Sequence, residues 1–213
     1  MKSRGIISLI FSLVAISLQA QFVISPGSAL TIKNGGSVYI NTNFYIESNA
    51  GASGYLVDQT AVGECEVTGS INIERYLTAA AWHNTSSPVS NAGSSVYAGT
   101  ELVFYYDETI IENDWNFGWV MYQGPLLPMK GYDVYLPGSA LTVLYTGNGT
   151  SALNTGSYTI NVHKTDPANG EIESHKGWNL LGNPYPSPLD WQVGSAWNKS
   201  DINDAKYIWD HQR

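Results

Sequence analysis

The 213-residue chain sets 10 Lys+Arg against 18 Asp+Glu, a formal charge of −8 with no basic cluster to offset it. Such a surface repels phosphate backbones, which excludes a nucleic-acid partner. A single cysteine, Cys65, excludes an internal disulfide, so 14 Tyr and 7 Trp must supply much of the packing.

The first element is a leader. Lys2 and Arg4 precede an uncharged, mostly apolar run over 5–18, and Gln19-Ala20-Gln21 follows with small Ala20 at the cut. This is the three-part pattern of a cleaved secretory signal, residues 1–20. The run is too short to span a bilayer, which takes about 20 apolar residues. No later run is long enough either, so the mature chain is expected to be exported, extracellular or at the cell surface, without a membrane span. Losing Lys2 and Arg4 takes the charge from −8 to −10.

Residues 21–73 alternate short strands with Asn/Gly/Ser turns. Strands are predicted at 29–32, 37–40, 44–47, 54–57 and 67–73, with turns at Lys33-Asn34-Gly35-Gly36 and Ser48-Asn49-Ala50-Gly51. Strands this short and this closely spaced predict a β-solenoid-like segment, each rung burying its face on the next. Cys65, within Glu64-Cys65-Glu66-Val67, is expected as a small buried side chain rather than a reactive thiol.

Near Arg75 the strands lengthen and aromatics become dense. Residues 101–107 read as a strand in a hairpin with 119–122, across a loop holding Asn113-Asp114-Trp115-Asn116. Strands at 131–136, 140–145, 156–162 and 177–181 follow, each bounded by Gly, Pro, Asn or Asp. Helical periodicity is nowhere sustained, and a short helix fits only 190–197 or 201–205. Residues 74–213 therefore read as an aromatic-rich antiparallel β-sandwich, jelly-roll-like, and the whole chain as all-β. Pro26-Gly27-Ser28-Ala29-Leu30-Thr31 recurs at 137–142, which reads as one Pro-Gly turn used twice to enter a strand. The prolines of Asn183-Pro184-Tyr185-Pro186-Ser187-Pro188 predict a rigid crossing between strands. Residues 207–210 read as an aromatic strand running into the terminus, where a sandwich strand needs a further neighbour. The second domain is accordingly expected to be incomplete.

Chemistry-bearing groups are sparse. His83, His163, His175 and His211 show neither His-x-x-x-His nor His-Glu-x-x-His spacing, no Gly-x-Ser-x-Gly elbow occurs, and Cys65 has no evident partner. No metal, cofactor or catalytic residue is therefore expected. Asp107 and Glu108 face the loop that holds Glu112 and Asp114. Paired carboxylates serve glycoside hydrolysis or calcium binding, but the calcium-loop order is missing and an acidic, solvated hairpin loop is the expectation. Trp115, between Asp114 and Asn116, is the best candidate for stacking on a sugar ring, so these three are the candidate ligand contacts.

Several segments resemble, as a set, a recurring module of large secreted and surface proteins of Bacteroidetes. They are Arg75-Tyr76-Leu77, Trp82-His83, Ser86-Ser87-Pro88-Val89-Ser90, Pro128-Met129-Lys130-Gly131-Tyr132, Gly147 and Asn154-Thr155-Gly156-Ser157-Tyr158. The closest stretch runs from Gly177-Trp178-Asn179-Leu180-Leu181-Gly182-Asn183-Pro184-Tyr185-Pro186-Ser187 to Leu189-Asp190-Trp191. The resemblance covers roughly residues 70–213. It implies a β-rich exoprotein, often exported by the type IX route with a sorting domain far downstream, and it carries no catalytic residues. A chain ending at Arg213 lacks that sorting domain, so a fragment of a longer product or a truncated gene is expected.

The leading expectation is a non-catalytic structural or adhesion-type module of an exported protein, with a surface glycan or matrix polymer as partner. The alternative is a carbohydrate-binding accessory domain of a secreted polysaccharide-degrading enzyme.

Overall fold

Three short strands, a return, and three more make up the first part of the chain. The structure, a computed structural model, describes residues 20–60, 64–98, 102–110, 118–166, 176–191, 198–200, 202 and 207. The first pass contains β1 (Gln21–Ile24), β2 (Ala29–Ile32) and β3 (Val38–Ile40). The second contains β4 (Asn43–Ile46), β5 (Tyr55–Asp58) and β6 (Cys65–Val67), and β7 (Ser70–Leu77) begins a third. Each strand pairs in parallel with its counterpart one pass later. Gln21 lies opposite Asn43, 22 positions on; Phe44 opposite Ile71 and Val38 opposite Cys65, each 27 on; Ala29 opposite Tyr55, 26 on.

Register explains the packing. Side chains alternate across a strand, so in-register passes stack like on like. Ile24, Ile46 and Ile73 form one column, and Phe22, Phe44 and Ile71 the next. Phe44, Ile46, Ile71 and Ile73 are wholly buried. Leu30 lies opposite Leu56, Val38 opposite Cys65 and Ile40 opposite Val67. Cys65 is thus a buried column member, as its sequence context suggests. The passes sit so close that a Cβ on Gly69 would overlap the backbone of Thr42.

β7 spans the change of pattern at Arg75 and carries a neighbour on its other side. β8 (Ala81–Thr85), β9 (Leu102–Tyr106), β10 (Trp119–Met121), β11 (Tyr132–Leu136) and β12 (Leu141–Asn148) complete the strands of the described residues. β12 runs antiparallel to β7 through eight pairs, from Leu141 opposite Leu77 to Asn148 opposite Ser70. The other strands form a separate antiparallel sheet in the order β10-β9-β11-β8. Its inner face buries Val103, Tyr132, Val134 and Leu136, and one continuous core runs from Ile24 to Leu153. Helix is limited to a single 3-10 turn, Ser94–Tyr97, among the described residues. The chain is all-β, and no described helix is long and apolar enough to cross a membrane.

The expected hairpin is present as β9 and β10, with Trp119 opposite Tyr106. Two expected strands are not. Residues 156–162 and 177–181 lie outside every sheet apart from a bridge between Lys130 and Leu181. A side chain does the joining instead: Asn179 Nδ2 donates to the His163 carbonyl (2.9 Å), and the His163 N–H donates to Asn179 Oδ1 (3.2 Å). The repeated Pro-Gly hexapeptide also differs between its copies. Each precedes a strand, but Gly27 has φ +79° and hydrogen-bonds back to Ser53, whereas Gly138 is not in the left-handed region. The leader, the 111–117 loop, 192–197 and most of 201–213 lie outside the described residues.

Candidate functional site

Trp115, Asp114 and Asn116 fall outside the described residues, as does Glu112. The other two carboxylates of that group are described, and they face the protein's own backbone. Asp107 Oδ1 accepts from the hydroxyl (2.6 Å) and the N–H (3.0 Å) of Thr109. The Thr109 hydroxyl chiefly holds the Asp107 carboxyl below its ordinary range. Glu108 is buried, which corrects the expectation of a solvated acid at that one position. Its carboxylate accepts from the Thr165 N–H (3.0 Å), the Thr165 hydroxyl (3.0 Å) and the Gly177 N–H (3.1 Å). Lys176 donates to its main-chain carbonyl (3.4 Å). Burial pushes the Glu108 carboxyl up, but these donors and the Lys176 charge outweigh it and pull it down. A carboxylate with three donors on it is a clasp, binding 108 to 165 and 177.

No three His, Cys, Asp or Glu gather as a metal site among the described residues. Burial, and then the charge of Asp58, push the Cys65 thiol up to about 11, so it stays protonated and unreactive.

The distinctive motifs meet in space. A Cβ on Gly182 would overlap the Ser86 side chain and sit 2.7 Å from the Lys130 carbonyl. One on Gly131 would sit 2.6 Å from the Leu180 side chain. Asn154, wholly buried, donates to the Ser87 carbonyl (3.1 Å) and accepts from the Tyr158 hydroxyl (3.1 Å). Thr85, Tyr97 and Tyr145 close a ring of hydroxyls at 2.9–3.2 Å. These residues are welds between segments.

One weld leaves a crevice of about 340 Å³. The Leu56 N–H donates to the Pro186 carbonyl (3.1 Å), so the proline-rich crossing docks on the side of β5 away from β2. Below that contact the walls are Asp58, Gln59 and Thr60 on one side, Thr155 and Ser157 on another, and Tyr185 and Ser187 on the third. Tyr185 is held by three constraints: prolines on either side, a hydroxyl donating to the Gly156 carbonyl (2.7 Å), and an edge-on contact with Tyr158 (5.8 Å). Carboxylate, amide and hydroxyls around a fixed aromatic ring suit a polyhydroxylated ligand, and the volume is at the small end for ligand pockets. In the sequence only the proline-flanked Tyr185 hints at this site, because its three walls are far apart along the chain.

The outer face of the antiparallel sheet is also aromatic. The Trp82 ring lies 5.0 Å from Tyr135 and 5.9 Å from Phe104. Asp133 shares this face, opposite Asn84 on one side and Phe104 on the other. Burial pushes its carboxyl up to about 6, with the Val134 N–H pulling the other way.

Residues 6–213 match the family described as a domain of unknown function, DUF8693. No curated protein and no solved structure matches the chain.

Proposed function

We propose that this chain, which belongs to the DUF8693 family, is a non-catalytic structural or adhesion-type module of an exported protein that meets a surface glycan or matrix polymer. The carrying observation is the use made of Glu108: this member of the Asp107–Glu108 carboxylate pair is buried and saturated by backbone and hydroxyl donors. General acid–base work needs a carboxyl that reaches substrate. The n/h/c pattern of residues 1–20 supports export, and the resemblance of residues 70–213 to the Bacteroidetes exoprotein module supports a surface or extracellular setting. The parallel ladders at 22–27-residue spacing support reading 21–73 as a short β-solenoid. The antiparallel sheet over a shared core supports a sandwich-like second part, 74–213.

The test incubates the purified exported chain with insoluble polysaccharides and matrix polymers, measuring retention and release of reducing ends together. Retention without release is expected. Release of reducing ends would overturn the non-catalytic reading, and no retention on any polymer would overturn the adhesion reading.

The crevice at Tyr185 favours a second reading, a carbohydrate-binding accessory domain. It predicts that Tyr185→Ala, folded by circular dichroism, loses retention at least tenfold. Trp115→Ala is the parallel variant for the loop candidates. Unchanged retention in both would remove this reading.

A further inference from the structure

The parallel stack is treated differently at its two ends. On the far side β7 is covered by the eight pairs of β12, and β5 accepts the proline-rich crossing through Leu56 and Pro186. On the near side β1, β2 and β3 are each the outermost strand of their ladders among the described residues. Three strand edges therefore lie together, presenting main-chain N–H and C=O groups.

Edges of this kind ordinarily carry a lysine, a proline or a bulge that discourages another strand. Here the strands read Gln-Phe-Val-Ile, Ala-Leu-Thr-Ile and Val-Tyr-Ile, with no charge and no proline. Lys33, in a turn, is the single charged residue between 20 and 46, although the chain as a whole carries −8. This acid-free pass, with Lys33 its one charged side chain, is where two such acidic molecules approach with least repulsion. Phe22 and Val23 remain 38% and 41% exposed there.

We propose that a second copy of this chain occupies this end, first pass against first pass, about a two-fold axis. The two-fold runs β1 antiparallel to its mate and sets β2 against the mate's β3, strands of four and three residues. Each open edge then faces an edge within one residue of its own length. Because the contact is isologous, each copy's near side is used up by the other, and association closes at two copies rather than continuing as a fibre. The proposal rests on the export reading: cleavage after Ala20 makes Gln21, the first residue of β1, the chain terminus, and leaves nothing upstream to cover the pass.

Size sets the strength. A pass of 22–27 residues, at ~3.3 Å each, encloses roughly 300–550 Å². The dimer then buries roughly 600–1,100 Å², at or below the lower bound for specific interfaces, which calls for a concentration-dependent equilibrium.

The test is sedimentation equilibrium of the exported chain over a wide concentration series, with intact mass measured on the same sample. The wild type is expected to pass from monomer to dimer as concentration rises. Val23→Lys combined with Thr31→Lys, both at exposed edge positions, should weaken the dimer at least tenfold with an unchanged melt. Leu144→Lys, equally exposed on β12, should leave it intact. A chain beginning at Gln21 that stays monomeric throughout would overturn the proposal. So would a dimer indifferent to the two edge lysines, or growth beyond two copies. A mass that retains residues 1–20 would instead overturn the cleavage reading, and a chain produced from Gln21 onward then decides the dimer by itself.

Discussion

Asp133, a carboxyl on an aromatic face, has a cost that depends on pH. Its ordinary value of 3.8 rises to about 6 on folding, so between those values the folded state binds more protons than the unfolded one. Stability from this group is therefore complete below about pH 4 and lost as pH rises through 6. At ~1.4 kcal/mol per unit the loss is on the order of 2–3 kcal/mol at neutral pH. Asp133→Asn should melt higher than wild type at pH 7.5, with the gap closing by pH 4; thermal melts across that range check it. Glu108 has the opposite sign. Its carboxyl is held below its ordinary value, so its contribution is present above pH 4.5 and lost as pH falls through the folded value. Glu108→Ala leaves the Thr165 and Gly177 donors unsatisfied and should cost on the order of 2 kcal/mol at pH 7, and less at pH 3, in denaturant titrations. Cys65, held up to about 11, should resist a thiol reagent at pH 8 in the native chain and react fully in guanidinium; prompt native labelling would contradict its place in the buried column.

Segment joints depend on glycine where backbone meets backbone. Gly182→Ala sets a methyl against Ser86 and the Lys130 carbonyl, and should cost about 1–3 kcal/mol as overpacking. Gly138→Ala meets nothing within 4 Å and should stay within about 0.5 kcal/mol, so paired melts separate a joint from a plain turn. Some elements were legible in the residues themselves. The unbroken β-branched and aromatic run within 101–107 and the alternation of 131–136 report β9 and β11 directly, because a length of five or six residues bounded by polar or turn residues fits a strand and not a helix. Pairing was much less so. The partners of β1 and β2 lie 22 and 26 residues away, and Ile24 over Ile46 over Ile73 is one apolar coincidence among many until the register is known. The extended stretches at 156–162 and 177–181 mimic strands in composition, yet an Asn179 side chain takes the place of a ladder, which no periodicity reports.

At the scale of the molecule the crevice illustrates the same limit. Its walls come from residues 58–60, 155–157 and 185–187, and only the fold of both parts brings them together. The clasp at Glu108 hides similarly, because a buried acid and a surface acid are spelled alike until Thr165 and Gly177 are seen on its oxygens. β12 adds a consequence in time. Residues 21–77 emerge first, but the strand that covers β7 ends at Asn148. At about 5–20 residues per second, the stretch between Leu77 and Asn148 takes roughly 4–14 s to make. Throughout that interval β7 is a naked edge, so a nascent chain must be shielded, or threaded onward unfolded, until its own later strand arrives to seal it.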